Sequence, residues 1–349
     1  MWFQKYRTTW LAIAGTLIFL LVIPAPFFLY QPGSVELLRS RITVENGVKS
    51  EIGGLHLTTV MSVKSLNMAY LLYGLIAPSV EVIPARDIKG DLSDAEYAAL
   101  LRHAMASSQQ SAVYAGLQAA GQEATVIRDG VFIRGVLPVS KAKGILAPGD
   151  LITHADEVPV TTVEQFNAYI AEHKKEGDTV QVTSTHGDVQ QIEQVPIIQL
   201  ASGRRGVGIT VENAITVQSS TDVTLQVDEI GGPSAGLMFA LEIVDQATPG
   251  NLTQGYVIAG TGTMNVEGEV GQIGGIRHKL AAAERSGIDI FFVPADRTPT
   301  DKNEKDARAE IKKRGYSLQL VPVHTLNEAT LYLEKLTPKK IQQRDEGNS

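Results

Sequence analysis

The chain has 349 residues, room for two or three folded domains of about 150 residues each. Hydrophobic residues are 44% and charged residues 20%, a globular composition, and a net charge of −7 argues against a nucleic-acid partner. The absence of cysteine excludes a disulfide scaffold, a thiolate metal site and a Cys nucleophile, and the lack of HExxH and GxxxxGK[ST] argues against a zinc hydrolase or a self-contained ATPase.

Trp10 to Tyr30 form 21 consecutive uncharged residues, about 30 Å of helix and enough to cross a bilayer. The run exceeds a signal-peptide core, and Pro24 and Pro26 lead into Phe-Phe-Leu-Tyr rather than small residues. The expectation is an uncleaved transmembrane helix over 10–30, a cytoplasmic N-terminus over 1–9, and the rest of the chain outside. Lys5 and Arg7 support that orientation. Residues 42–60 read as two strands around a Gly-Gly turn. Ser93 opens an S-x-x-E capping box with Glu96, and Tyr97, Leu100, Leu101, Ala104 and Met105 follow at helical spacing, predicting a helix over 93–120. Residues 125–199 are strand-rich with turn signals at Gly130, Gly187 and Asp188. Val223, Leu225 and Val227 alternate with polar neighbours, predicting a strand over 222–228. The tail over 338–349 is polar.

Within the strand-rich segment, Gly144-Ile145-Leu146-Ala147-Pro148-Gly149-Asp150-Leu151-Ile152 is followed by a helical stretch over 162–173. This segment, 125–199, resembles a PDZ domain. The resemblance implies that Gly130, Val131, Phe132 and Ile133 form the loop that receives a peptide carboxylate on backbone N–H groups. Arg134 stands where a smaller residue is usual.

Gly231-Gly232-Pro233-Ser234-Ala235-Gly236 precedes the apolar run Leu237 to Leu241. Pro233 fits the first position of a helix, which puts Ser234 in its first turn, among free N–H groups and a positive dipole end. That environment suits a nucleophile beside a developing oxyanion, although a simple capping serine has the same surroundings. Lys279 lies about one turn into a second helical stretch, with Ile276, Leu280 and Ala283 around it. A lysine stripped of water loses proton affinity; a fall to near 7.5 would cost about 4 kcal/mol and yield a neutral base. A solvent-facing lysine is the bland alternative. His278 points about 100° away from Lys279 around the helix, which disfavours a Ser-His-Asp arrangement.

GGPSAG followed by GGIRHKLAAAERSG resembles the proteolytic domain of Lon-type serine peptidases. The resemblance implies Ser234 as nucleophile and Lys279 as general base, with Gly232 and Pro233 shaping the nucleophile turn. It also implies Thr261, in Ala259-Gly260-Thr261-Gly262-Thr263, as the residue that orients the lysine amine. Gly231 or Gly232 stands where many such domains have Asp, and Thr263 where they have Glu. Leu57 to Val60 and Met105 to Ala112 resemble the first strands and first helix of the same domain. The order of segments resembles SepM-like membrane proteases of Gram-positive bacteria. The expected fold is therefore α+β: a Lon-type domain in two parts, 31–124 and 200–337, with an inserted PDZ domain and one N-terminal membrane helix. The expected protein is an ATP-independent endopeptidase, without metal or cofactor, that cleaves extracellular peptides or proteins, peptide pheromones among the candidates. A membrane scaffold with an inactive peptidase domain is the alternative, and the oligomeric state stays open.

Overall fold

A computed structural model of the chain describes residues 6–23, 25–64, 67–77, 79–227 and 232–339. Helix α1 runs from Arg7 to Val22 and stops there because Ile23 precedes Pro24 and takes an extended conformation, φ −73° and ψ 120°. Phe27–Leu37 is then a strand, β1. The expected helix over 10–30 is thus corrected: its last four residues belong to a sheet, with Leu29 buried. Among the described residues no helix is long and apolar enough to cross a membrane. Gly231, most of the polar tail and the first residues of the N-terminus lie outside the described residues.

The main sheet has six strands. Besides β1 these are β2 (Gly54–Lys64), β3 (Glu81–Pro84), β4 (Val257–Gly260), β5 (Ile290–Pro294) and β6 (Gln319–Val323), arranged in the order β6-β5-β4-β2-β1-β3. The β6-β5-β4-β2 half is parallel and the β2-β1-β3 half antiparallel. Every residue of β5 is buried, as a parallel strand covered on both faces requires. Phe291 packs toward Ile276, Leu280 and Ala307, whereas Phe292 packs toward Phe239 and Ile258 on the other face. The two strands expected over 42–60 do not form a hairpin with each other. Ile42–Val44 pairs with Val223–Leu225, and β2 pairs with β1.

Three helices carry or frame the site. Helix α2 (Asp94–Ala119) begins with the expected capping box of Ser93 and Glu96. Helix α3 (Gly236–Ala247) is buried from Gly236 through Gln246, so it forms the central rod of the core. Helix α4 (Ile276–Arg285) starts after Gly275, whose φ of +71° favours glycine and whose Cβ would lie 2.9 Å from Val60. The core joins both ends of the chain: Leu38, Leu55 and Leu57 meet Ala112 and Leu117 of α2, and Phe239, Ile258 and Phe292 from the C-terminal part.

A second core gathers Val131, Ile133, Ile152, Phe166, Ile170, Val180 and Val207. Its sheet includes Ala124–Val136, Leu151–Ala155, Thr179–His186 and Val189–Pro196. It also includes Ile209–Ser219, which pairs antiparallel along the whole of Ala124–Val136. The sheet therefore continues past residue 199, where the PDZ segment was expected to end. Ala124 and Ser219 are register partners, so this body leaves and rejoins the rest of the chain at adjacent points.

Candidate active site

The parallel pairing of β2 with β4 ends at Leu57 and Gly260. Beyond it the strands part, and the crevice at their carboxyl ends holds the chemistry, as is general for parallel sheets. Helix α3 starts at Gly236, so Ser234 sits on the turn just before the helix rather than in its first turn as expected. Gly232, with φ +90°, and Pro233 form the approach to that turn.

Lys279 reaches Ser234 from α4. Its Nζ lies 3.1 Å from Ser234 Oγ and donates to the Thr58 carbonyl at 2.6 Å. The lysine is only 3% exposed, and no carboxylate pairs with it among the described residues. Burial, which strips the amine of water, pushes its pKa down to about 7. At one of the two positions where the motif lacks its usual acid, Thr263 pairs in a short ladder with Gly271.

Thr261 is fully buried after β4, and its hydroxyl donates to the Ser234 carbonyl at 2.9 Å. It thus secures the nucleophile turn; the group that orients the lysine amine is the Thr58 carbonyl. The Gly262 N–H joins Thr261 on the Ser234 carbonyl at 2.8 Å, and the Gly262 carbonyl accepts from Leu237 at 3.1 Å. From α2, the Ser108 hydroxyl donates to the Pro233 carbonyl at 2.8 Å. A Cβ at position 236 would come within 2.5 Å of Ser108 Oγ, which explains why glycine stands there. His278 faces away, toward Glu81 at 3.2 Å. Sequence reasoning missed the Thr58 carbonyl, since a main-chain acceptor leaves no trace in residue type. It also missed Ser108, whose only signal was its place in the buried stripe of α2.

Ser234 opens onto two cavities. A groove of about 760 Å³ is lined by Tyr30, Thr59, Val60, Met61, Tyr97 and Leu101 among others. A shallower one of about 400 Å³ is bounded by Thr263, Gln272, Ile273 and Gly274. The nucleophile stands between them, where an extended peptide could lie across it.

The expected carboxylate loop is not in the second body's open groove. Gly130, Val131, Phe132 and Ile133 lie in the middle of the sheet, paired on one edge with 211–214, while Val131 and Phe132 also pair with Ile152 and Leu151 on the other. The Ile133 N–H is taken by the Asp150 carbonyl, and Val131 and Ile133 are fully buried. Donors already inside a ladder cannot receive a carboxylate. The open groove, about 420 Å³, lies between Val163–His173 and residues 203–211, with Phe166, Ile170, Leu200 and Arg204 on its walls. Val207 and Gly208 are among its lining residues, and their N–H groups meet no acceptor among the described residues.

Residues 175–333 match the Lon protease (S16) C-terminal proteolytic domain, and residues 119–197 match the PDZ domain family. The chain carries a proteolytic domain of the Lon serine peptidase family together with a PDZ domain. It is 36% identical over 125 residues to the Lon protease of Neorickettsia sennetsu, covering 34% of this chain and 14% of that protein. It is 28% identical over 224 residues to the Lon protease of Chloroflexus aggregans, covering 56% of this chain and 26% of that protein. The chain thus spans only a minor part of the curated relatives' length. Among solved structures, the PDZ domain of an SdrC-like protein from Listeria monocytogenes is 34% identical, covering 24% of this chain and 87% of that one, with a TM-score of 0.23.

Proposed function

We propose that the protein is an ATP-independent serine endopeptidase in which Ser234 is the nucleophile and Lys279 the general base. The observation that carries this reading is a buried amine with a pKa of about 7 lying 3.1 Å from a serine hydroxyl. The neutral amine takes the Ser234 proton as Oγ attacks the scissile carbonyl carbon. The resulting ammonium then gives that proton to the leaving nitrogen, the C–N bond breaks, and an acyl-serine remains. Water, deprotonated by the same amine, attacks the ester; the acid leaves and Ser234 recovers its proton. No step requires nucleotide, metal or cofactor.

Substrates in this reading are peptides or unfolded proteins, secreted signalling peptides among them, lying extended across the two cavities beside Ser234. The groove between residues 163–173 and 203–211 would recruit them by their C-terminal carboxylates, held by the Val207 and Gly208 N–H groups beside Arg204. Tethering at the outer face of a cell membrane is part of the proposal. Helix α1 has no charge from Thr8 to Val22 and exposes Trp10, Ile13, Leu17 and Phe19, and a helix apolar all round needs apolar surroundings.

The test is cleavage of fluorescein-labelled casein by the full chain and by Ser234→Ala. The expected result is loss of cleavage in a variant with unchanged circular dichroism, and casein cleavage by that variant at the wild-type rate would overturn the assignment. Flotation of the full chain with liposomes, set against a variant lacking residues 7–22, tests the tether.

A further inference from the structure

Two peptide planes flank the Ser234 side chain, and each is gripped by its carbonyl. Pro233 C=O accepts from the Ser108 hydroxyl at 2.8 Å, and Ser234 C=O accepts from the Thr261 hydroxyl at 2.9 Å. The peptide bonds of the described residues are trans, so each plane carries its N–H pointing opposite to its carbonyl. The N–H opposite the Pro233 carbonyl is that of Ser234 itself; the one opposite the Ser234 carbonyl is that of Ala235. Neither meets an acceptor among the described residues, and both residues line the groove beside Lys279. Both hydroxyls are buried, Ser108 at 4% exposure and Thr261 at 0%.

The geometry points to Ser108 and Thr261 as a pair of positioning residues that aim the Ser234 and Ala235 N–H groups at the oxyanion formed on a substrate carbonyl. The inference rests on Ser234 being the nucleophile. Backbone donors stabilise charge only when their direction is fixed before the reaction, since turning them during it costs the energy they would supply. A peptide plane on a turn ahead of a helix can rock, and hydrogen bonds at its carbonyl end restrain it; the Ser234 carbonyl takes two, from the Thr261 hydroxyl and from the Gly262 N–H, and the hydroxyl supplies the restraint from a side chain. Ser108 arrives from α2 and Thr261 from the end of β4, so the two planes are fixed from independent elements.

The test uses the full chain with labelled casein as substrate and a tri-leucine boronic acid as the probe of the tetrahedral state. Ser108→Ala and Thr261→Val should each lower kcat about 10- to 100-fold with KM within about twofold. Affinity for the boronic acid should fall by the same factor as kcat/KM, because the probe forms its tetrahedral adduct on Ser234. Thr261→Ser, which keeps the hydroxyl, should retain most of the activity and of the boronic acid affinity. A purely structural role would move the melting temperature without coupling boronic acid affinity to kcat. If Ser108→Ala does not fold, the Val and Ser variants at position 261 decide alone. Casein cleavage within twofold of wild type in Thr261→Val, or unchanged boronic acid affinity where kcat has fallen, overturns the inference. Undiminished cleavage by Ser234→Ala would instead overturn the assignment of the nucleophile, so the two failures are separable.

Discussion

At the scale of single residues, Lys279 carries a heavy electrostatic cost. Moving its pKa from 10.5 to about 7 opposes folding by about 5 kcal/mol at neutral pH. Between pH 7 and 10.5 the unfolded chain binds a proton that the folded chain does not, so this cost shrinks as pH rises and is complete below 7. Lys279→Met should therefore be inactive yet melt at a higher temperature, with the gain largest at and below pH 7 and gone near pH 10.5. A scan of melting temperature against pH on both proteins measures it. Casein cleavage by the wild type should rise through pH 7 and level off above it, since only the neutral amine accepts the Ser234 proton. Lys279→Arg should be as inactive as Lys279→Ala, because a guanidinium cannot serve as a base; a working Lys279→Arg enzyme would remove lysine from the mechanism.

At the scale of elements, helix ends decide where reacting groups stand. Gly275 starts α4 in the left-handed region and against Val60, so Gly275→Ala must either strain the backbone or push β2 away. Because Thr58 lies two residues from Val60 on that strand and its carbonyl favours the ammonium form of the amine, the expected outcome is a loss of about 1–3 kcal/mol, the usual cost of such strain, together with a lowered pH midpoint of casein cleavage. On α3, Glu242 is buried, and its carboxyl is pushed up to about 7 by lost hydration. Between pH 4.5 and 7 the folded chain holds a proton that the unfolded chain releases, so stability falls as pH rises across that window. Glu242→Gln, which keeps the acceptor facing Gln246, should raise the melting temperature at pH 8 and leave it unchanged near pH 4.

The same elements mark how much was legible in the sequence. The capping box of α2 follows from local pattern, because it depends on residues within one helical turn, whereas the apolar neighbours of Lys279 leave its burial open and the packing of β2 against it decides it. The start of α3 was misjudged by about three positions: Pro233 has the right φ for a first helical turn, but the contacts of Thr261 and Gly262 hold Ser234 in a turn instead. The end of α1 was also missed, since the apolar Phe27 to Tyr30 suits a membrane helix and a half-buried strand equally well. The carboxylate loop was misplaced because a central strand and an open edge share glycine-rich apolar sequence, and only pairing on both sides tells them apart.

At the scale of the whole molecule, one core draws on residues from Leu38 to Leu333 while the other is confined to 131–207. Ile127 and Thr216 are register partners on the long hairpin that joins the two bodies. Removing residues 128–215 and linking Ile127 to Thr216 through Asn-Gly should close that hairpin with a two-residue turn. The shortened protein should fold, still cleave casein at Ser234, and lose any preference set by substrate C-termini. A fragment starting at Ser202 should not fold cooperatively, since it lacks Leu55, Leu57 and the whole of α2. Circular dichroism melts of both proteins check the pair of expectations, and a cooperative melt of the fragment alone would contradict them.

The carbonyl that holds the catalytic amine comes from β2, 221 positions before the lysine it grips. A ribosome adding roughly 5–20 residues each second needs on the order of 10–40 s to cover that distance. Throughout that interval the growing chain has β2 but no lysine to complete the site, and Ser234 itself is made only 45 residues before it. The protein is born inert, and its competence to cut arrives only after Lys279 has been added.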